Sequence, residues 1–462
     1  MPYNVALVRR NNIMSSYRYT LSDYHAIQSA DIKIDGITIL AGENGCGKST
    51  LSRWLYYIIN GARLFEEFTL RNYERRVNRL LNRQNMAARE IRHYLQKDDD
   101  SRNFNYSYGR LNIPLKIENG RITEEDLQQF QEMSTQTILS FGEMLAEFLK
   151  KTNISARRDR ILSYLGIDAS LDEIDPGQVS EDFVEKNLRL LNQMTEKLHS
   201  DIENRSFKQF LDNIKNEYDE TDMAPKNFQL YEDGVELIEA ERISSLFNLR
   251  RAIYVDTPMA LSNGDSNNFF WDELKQYAFS DREDIGFEEK KILQRIKNII
   301  QGEAKVIELD SPFEEEELRY VSADKKINIE IEKTATGFRT FTYLQRLLEN
   351  GYLTSETLLM IDEPEAHLHP QWVVEYARLL VLLQKYIGLK IMIATHNPDM
   401  VAALKSIAER EDILPNVNFY IAKSSSEPHM YEYRDLENEI GEIFESFNIA
   451  LSRIQLYGTK GI

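Results

Sequence analysis

The chain has 462 residues, 42% of them hydrophobic and 28% charged, with a formal net charge of −19. That length exceeds what one compact core usually holds, so one large or two associated domains are expected, and the acidic balance argues against a general nucleic-acid-coating role while leaving room for a local basic face. Cys46 is the single cysteine, so a disulfide within the chain is excluded and a reducing cytosol is the expected compartment.

Met1 to Asn12 has no long apolar run and does not read as a signal peptide; the longest apolar run, Leu379 to Leu383, is far too short to span a bilayer. Tyr17–Leu21, Ile32–Ile34 and Ile37–Leu40 read as short strands, with Asp35-Gly36 as a hairpin turn, so a small antiparallel sheet is expected to lead onward. Tyr17, Tyr19 and Tyr24 are half-buried strand positions by this reading, with stacking on a base as the sharper alternative. The strand Ile37–Leu40 runs into a Gly-rich loop. Gly42 followed by Gly47-Lys48-Ser49 has the spacing G-x-x-x-x-G-K-[ST] of a phosphate loop, in the strand–loop–helix setting that this loop requires. Glycines let backbone N–H groups approach an anion; Lys48 brings a mobile cation to the β- and γ-phosphates. Ser49 offers a hydroxyl to Mg²⁺, and Thr50 begins a helix whose positive end faces the phosphates. Cys46 sits inside the loop, where a small side chain that fits accounts for it better than redox sensing does.

Ser49–Asn60 is the expected helix after the loop, broken at Gly61. Arg63–Lys97 then reads as a long polar helix holding nine basic and four acidic residues, ended by Asp98-Asp99-Asp100. Its basic surface suits either a solvated helix face or contact with nucleic acid or an acidic partner. Tyr106–Glu118 reads as extended, with a turn at Asn119-Gly120. Thr123–Lys151, Ile154–Leu165 and Ser180–Tyr218 read as helices, with Thr123 and Ser180 as caps. The expected organisation is an N-terminal part of a nucleotide domain over 1–60, a mainly helical insertion over 61–226, too short for a long coiled-coil arm, and the C-terminal part over 227–462.

Strands return at Phe228–Tyr231 and Arg251–Val255, followed by a polar loop at Leu261–Asn268. Phe287–Ile300 is a helix, Asp310–Glu317 an acidic solvated edge, and Tyr320-Val321 with Ile327–Ile331 a hairpin. Glu303-x-Lys305 reads as a solvated strand edge rather than a nuclease core. Thr334–Arg339 precedes the expected helix Phe341–Asn350; the hydroxyl–Gly pair Thr336-Gly337 there is a second anion site, placed to serve a neighbouring copy's nucleotide. Thr357–Glu363 is an apolar strand ending in two carboxylates and is expected to lie beside the phosphate-loop strand. Asp362 would hold Mg²⁺ and Glu363 would orient or deprotonate the attacking water. Ile391–Asn397 is another buried strand, and His396 at its end is the candidate sensor of the γ-phosphate.

Together, Gly42-Glu43-Asn44-Gly45-Cys46-Gly47-Lys48-Ser49-Thr50, Thr336-Gly337, Asp362-Glu363-Pro364-Glu365-Ala366-His367-Leu368-His369-Pro370 and Thr395-His396-Asn397-Pro398 resemble the ABC-type ATPases of the RecF/SMC-like group. More closely, the chain resembles the AAA-family ATPases of bacterial anti-phage systems such as Septu and PARIS, and overcoming-lysogenization-type proteins. The resemblance covers roughly residues 17–60 and 320–400 and leaves the middle block unplaced. It implies an α/β P-loop NTPase of ABC-ATPase head type with a helical insertion, using ATP and Mg²⁺. It further implies a head-to-tail ATP sandwich in which Thr336, Gly337 and Arg339 of one subunit close on the nucleotide held by Gly42, Asn44, Gly45, Gly47, Lys48, Ser49 and Thr50 of the other. Ala-Thr-Gly stands where the group often has Ser-Gly, though a hydroxyl and a glycine survive. The glutamine loop is not identifiable, with Asp256 its nearest candidate. His367 and His369, which with Asp362 suggest a metal site, belong in the group to a structural His-Pro turn. The resemblance places the switch in phage defence with a separate nuclease effector, because no nuclease is recognisable in this chain and the stretch after His396 is short for a toprim domain. The alternative is a DNA-binding repair ATPase of RecF/SMC type without an effector; a transporter subunit fits less well, given the large helical insertion.

Overall fold

The computed structural model describes residues 15–95, 113–117, 121–151, 155–167, 175–220, 222–239, 241–256, 269–280, 285–307 and 316–445. Asp98–Asp100, Asn119-Gly120, the loop 261–268, the acidic residues 310–315 and most of the expected extended stretch 106–118 lie outside them. The chain forms two compact units, one made of residues 1–63, 222–240 and 244–462, the other of 64–221 and 241–243.

In the first unit, β1 (Tyr17–Tyr24), β2 (Ile27–Lys33) and β3 (Ile37–Ala41) lead to α1 (Lys48–Arg63). β1 and β2 pair antiparallel around His25-Ala26, with His25 in the left-handed region at φ 50°. The expected hairpin at Asp35-Gly36 does not form: β3 leaves β2 and enters the sheet between two other strands. Asp35 accepts the Tyr17 N–H instead, and a side chain at position 36 would meet the Asn416 carbonyl. Tyr17 and Tyr19 are fully buried, which removes them as base-stacking candidates; Tyr24 packs edge-on against Trp54. α1 continues through Gly61, which is buried, and ends at Arg63.

The second unit is helical: α2 (Phe65–Leu95), α3 (Glu124–Lys151), α4 (Ser155–Tyr164), α5 (Pro176–Asn204) and α6 (Phe207–Glu217). Apolar residues at helical spacing on α2, α3 and α5 close into two clusters, one around Phe141, Phe148 and Ile91, the other around Val77, Phe130 and Leu191. Thr123 caps α3 by accepting the Asp126 N–H. The expected single helix over Ser180–Tyr218 is two. Arg205 adopts φ 46°, which ends α5, and Ser206 caps α6. Nor is Ser180 a cap: Asp175 caps α5 with Pro176 in its first turn, and the Ser180 hydroxyl donates to the Gly142 carbonyl. Ile113 and Leu115 bury against α2, with both polar backbone groups of Ile113 bonded to the Asn78 amide.

The chain then forms β4 (Asn227–Glu232) and the two-residue strands β5 (Val235–Glu236), β6 (Ile238–Glu239) and β7 (Arg242–Ile243), followed by β8 (Arg251–Val255), α7 (Phe269–Phe279) and α8 (Phe287–Ile300). β9 (Gly302–Ile307), β10 (Glu317–Ser322) and β11 (Asn328–Glu330) make a small antiparallel sheet. After α9 (Thr336–Glu349) come β12 (Thr357–Asp362), α10 (Pro370–Ile387), β13 (Lys390–Thr395), α11 (Pro398–Arg410), β14 (Val417–Ser424) and β15 (Tyr431–Asp435).

Ten strands of the first unit form one sheet in the order β5-β4-β1-β2-β15-β14-β3-β13-β12-β8, and its five strands β14, β3, β13, β12 and β8 run parallel. Parallel strands covered on both faces read as unbroken apolar runs, and every residue of β3, β12 and β13 is buried. Ile39, Val255, Ile361 and Ile393 share one core with α7 to α11. On the other face, Ser52 of α1 meets Met392, and Asn60 bonds both backbone groups of Ala252 on the edge strand. β13 lies between β3 and β12, so the carboxylate strand is not the direct neighbour of the phosphate-loop strand.

Candidate active site

Parallel strands carry their sites at their carboxyl ends, and here the register brings the singled-out residues into line. Ala41, the last residue of β3, pairs with Thr395, and Asp362 pairs with Ala394. The loop 42–47, the pair Asp362–Glu363 and His396 therefore leave the same edge of three adjacent strands.

Gly47 of the loop has φ 92° and would place a Cβ 2.7 Å from Ile27, so only glycine fits there. α1 follows with no acidic residue in its first turn, whose N–H groups lack intrahelical acceptors. Lys48 is buried, and its ammonium donates to the carbonyls of Gly42 at 2.9 Å and Glu43 at 2.8 Å. Asn44, Gly45 and Ser49 face solvent, and Thr50 is half-buried. Cys46 is buried with Sγ 3.8 Å from Lys48 Nζ, while the Tyr433 hydroxyl donates to the Cys46 carbonyl.

Asp362 is buried. Its Oδ2 accepts the Tyr254 hydroxyl at 2.7 Å, whereas Oδ1 is buried without a hydrogen-bond partner among the described residues. Burial pushes the Asp362 pKa up, against the pull of the Ser49, Tyr254 and Ser52 hydroxyls. A buried oxygen left open beside a serine hydroxyl fits a hard divalent cation such as Mg²⁺, which takes oxygen ligands. Glu363 follows with φ 47°, a conformation uncommon outside glycine and one that turns the chain off the strand end. Its N–H still donates to the Ala394 carbonyl, and its carboxylate is 44% exposed. His396 Nδ1 lies 3.1 Å from Glu363 Oε1 and 3.7 Å from Glu365 Oε1.

Thr336 and Gly337 are the first two residues of α9, which begins five residues before the expected start at Phe341. Gly337 is buried at van der Waals limits against Trp372, where a Cβ would sit 3.0 Å from the ring. The Arg339 side chain is also buried and donates to the carbonyls of Glu332 and Thr334, so it braces the segment before α9 rather than projecting from it. His369 caps α10 by accepting the Gln371 N–H, and the described residues contain no cluster of His, Cys, Asp or Glu suited to a metal. Asp256 accepts the indole N–H of Trp271.

Two site residues escape motif reading. Tyr254 sits on β8, beside β12 and three strands from β3, and only strand order shows that its hydroxyl reaches Asp362. Glu365 lies within the carboxylate motif but has no spacing signal of its own; its burial, at 6% exposure, is what marks it.

The sequence pattern of the AAA ATPase domain family matches residues 19–401. The energy-coupling factor transporter ATP-binding protein EcfA2 of Clostridium perfringens is 36% identical over 97 residues, 21% of this chain and 34% of that protein. The chain thus spans about a third of that relative's length. Among solved structures, an Smc head domain with an extended coiled coil, bound to the C-terminal domain of ScpA, from Pyrococcus furiosus aligns over 96% of this chain and 100% of its own at 11% identity and a TM-score of 0.31. The SMC head domain from Thermotoga maritima covers 46% of this chain and 65% of its own at 9% identity and a TM-score of 0.26. With most of the chain inside the family pattern and the phosphate loop, the carboxylate pair and the histidine all on one sheet edge, the chain belongs to the AAA ATPase domain family.

Proposed function

We propose that this chain is an ATP-binding and hydrolysing switch of ABC type. The observation that carries the reading is the convergence of Lys48, Asp362, Glu363 and His396 at the carboxyl ends of β3, β12 and β13. The backbone of Gly42, Asn44, Gly45 and Gly47 and the first turn of α1 with Thr50 cradle the phosphates. Lys48 exchanges its two loop carbonyls for β- and γ-phosphate oxygens. Ser49 and Asp362 would hold Mg²⁺, which supplies charge neutralisation at the phosphates. Glu363 orients the attacking water and takes its proton, and His396 reads the γ-phosphate.

Thr336 and Gly337, at the start of α9, close on the nucleotide of a second copy in a head-to-tail pair, with Arg339 holding that segment in shape. ATP binds across the closed pair better than across the open one, so hydrolysis releases it. Resemblance in the quoted motifs further supports a regulatory role in anti-phage defence, with a separate nuclease as effector and the cytoplasm as its setting; among the described residues no helix is long and apolar enough to cross a membrane. The second reading, a RecF/SMC-like DNA-binding ATPase, has one observation in its favour. Arg75 and Arg76 are spent on Glu217 and Asp212, but the exposed Arg79 and Arg83 make no ion pair among the described residues.

The test is a pair of variants assayed for ATP binding, hydrolysis and mass in solution. Lys48→Ala loses nucleotide binding, whereas Glu363→Gln keeps ATP bound and accumulates as a dimer. Parental hydrolysis by Glu363→Gln overturns the assignment of the base. Co-purification of a nuclease separates the effector reading from salt-dependent DNA binding that disappears in Arg79→Gln/Arg83→Gln.

A further inference from the structure

The end of β12 and the turn after it hold three carboxylates within four residues, and each faces a different environment. Asp362 ends the strand, Glu363 is half exposed, and Glu365 turns back inward until its side chain is only 4% exposed. Glu365 Oε1 accepts the Thr395 hydroxyl at 2.6 Å and the His396 backbone N–H at 3.3 Å. Thr395 Oγ1 in turn accepts the Asn397 N–H, and the Asn397 side chain caps α11. One carboxylate oxygen thus holds the end of β13, the peptide of His396 and, through Thr395, the first turn of α11.

Burying a carboxylate is costly unless its acceptor capacity is used, and Glu365 Oε2 is buried with no hydrogen-bond partner among the described residues. A residue needed only to fill this turn would be apolar. The buried carboxylate instead fixes the main chain of the histidine and lies beside its ring. Both Glu363 and Glu365 lie on the Nδ1 side of His396, which leaves Nε2 directed away from them.

We propose that Glu365 is a positioning residue for γ-phosphate recognition: by tying Thr395 and the His396 peptide to the segment after β12, it sets where the imidazole lies between Glu363 and the nucleotide. This rests on the reading of His396 as the γ-phosphate sensor. Outer-shell partners of metal ligands typically contribute about ten- to a hundredfold, and the lower end of that scale is expected for a partner that orients a phosphate-binding histidine.

Calorimetric titration of the full chain with ADP and with a non-hydrolysable ATP analogue tests it, using Glu365→Leu, Glu365→Gln, Thr395→Val and His396→Ala. Glu365→Leu and Thr395→Val lose roughly tenfold of the preference for the triphosphate, approaching His396→Ala. Their ADP affinity, which reports an intact phosphate loop, stays parental. Glu365→Gln retains an acceptor oxygen and keeps most of the preference. If Glu365→Leu binds ADP normally and keeps the full triphosphate preference while His396→Ala loses it, the role of Glu365 is overturned and the site reading stands. If His396→Ala keeps it too, both fall. Should Glu365→Leu not fold, Thr395→Val cuts the same link from its other end and decides the matter by the same comparison.

Discussion

Buried polar groups at the strand ends of the sheet unit are held differently from Asn213 and Glu217 of the helical unit. In the helical unit, Asn213 is fully buried; its amide oxygen accepts from Asn72 and Gln209, and its amide nitrogen donates to Thr69 and the Phe65 carbonyl. Glu217, with its side chain 3% exposed, is ion-paired with Arg71 and Arg75. These groups hold helices together. In the sheet unit, the buried Asp362 and Glu365 each keep an oxygen with no hydrogen-bond partner among the described residues, Glu363 sits at positive φ, and Lys48 spends its charge on two carbonyls. An open oxygen alone does not mark a site, since Gln84 and Gln209 of the helical unit also keep one among the described residues; its convergence with a strained backbone and a buried lysine at one sheet edge does.

That contrast breaks most visibly at Asp362. Asp362→Asn should lower hydrolysis at least about a hundredfold, yet leave thermal stability equal or higher, because it removes a charge whose burial is unfavourable. A variant that loses both would mean Asp362 is architectural. Asn213→Ala should do the reverse, costing about 1–3 kcal/mol in denaturant unfolding of the helical unit and leaving ATP binding by the sheet unit unchanged. Tyr254→Phe sharpens the boundary. Its hydroxyl holds Oδ2 of Asp362, so removal should raise the Mg²⁺ concentration for half-maximal hydrolysis several-fold and weaken Mn²⁺ binding followed by electron paramagnetic resonance, with little change in melting temperature.

The smallest effect is expected at Glu273, a half-buried residue of α7 that accepts from Tyr56 and Tyr277. Burial raises its pKa despite those two donors. A raised carboxyl pKa contributes stability below the unfolded value that is lost as pH rises through the folded one. Glu273→Gln should therefore cost more stability at pH 4 than at pH 8, measured by urea melts at both. An equal cost at the two pH values would show that its ionisation is not linked to folding.

Much of the site was legible because its signals are local. A glycine loop between a strand and a helix, and a run of apolar residues closing on Asp362-Glu363-Pro364, each declare a backbone shape and a charge within ten residues. The helix Phe287–Ile300 was legible for the same reason, its apolar spacing and termini being contained in its own segment. Where local signals compete, reading them in isolation failed. Gly61 is a weak helix former, but it is buried in α1, so packing overrides propensity. Arg205 carries no glycine-like signature, yet its left-handed backbone splits one expected helix into two.

By itself the amino-acid sequence determined which chemical groups exist, on which kind of element each sits, and that a phosphate loop and a pair of acids belong to one nucleotide site. Only tertiary structure decided that β13 enters between β3 and β12, that Asp35-Gly36 passes the chain onward instead of folding it back, and that Tyr254 and Glu365 stand behind Asp362 and His396. The reason is that strand order and side-chain burial depend on pairings between residues hundreds of positions apart, whose free energy is shared over the whole sheet and leaves no pattern in any one stretch.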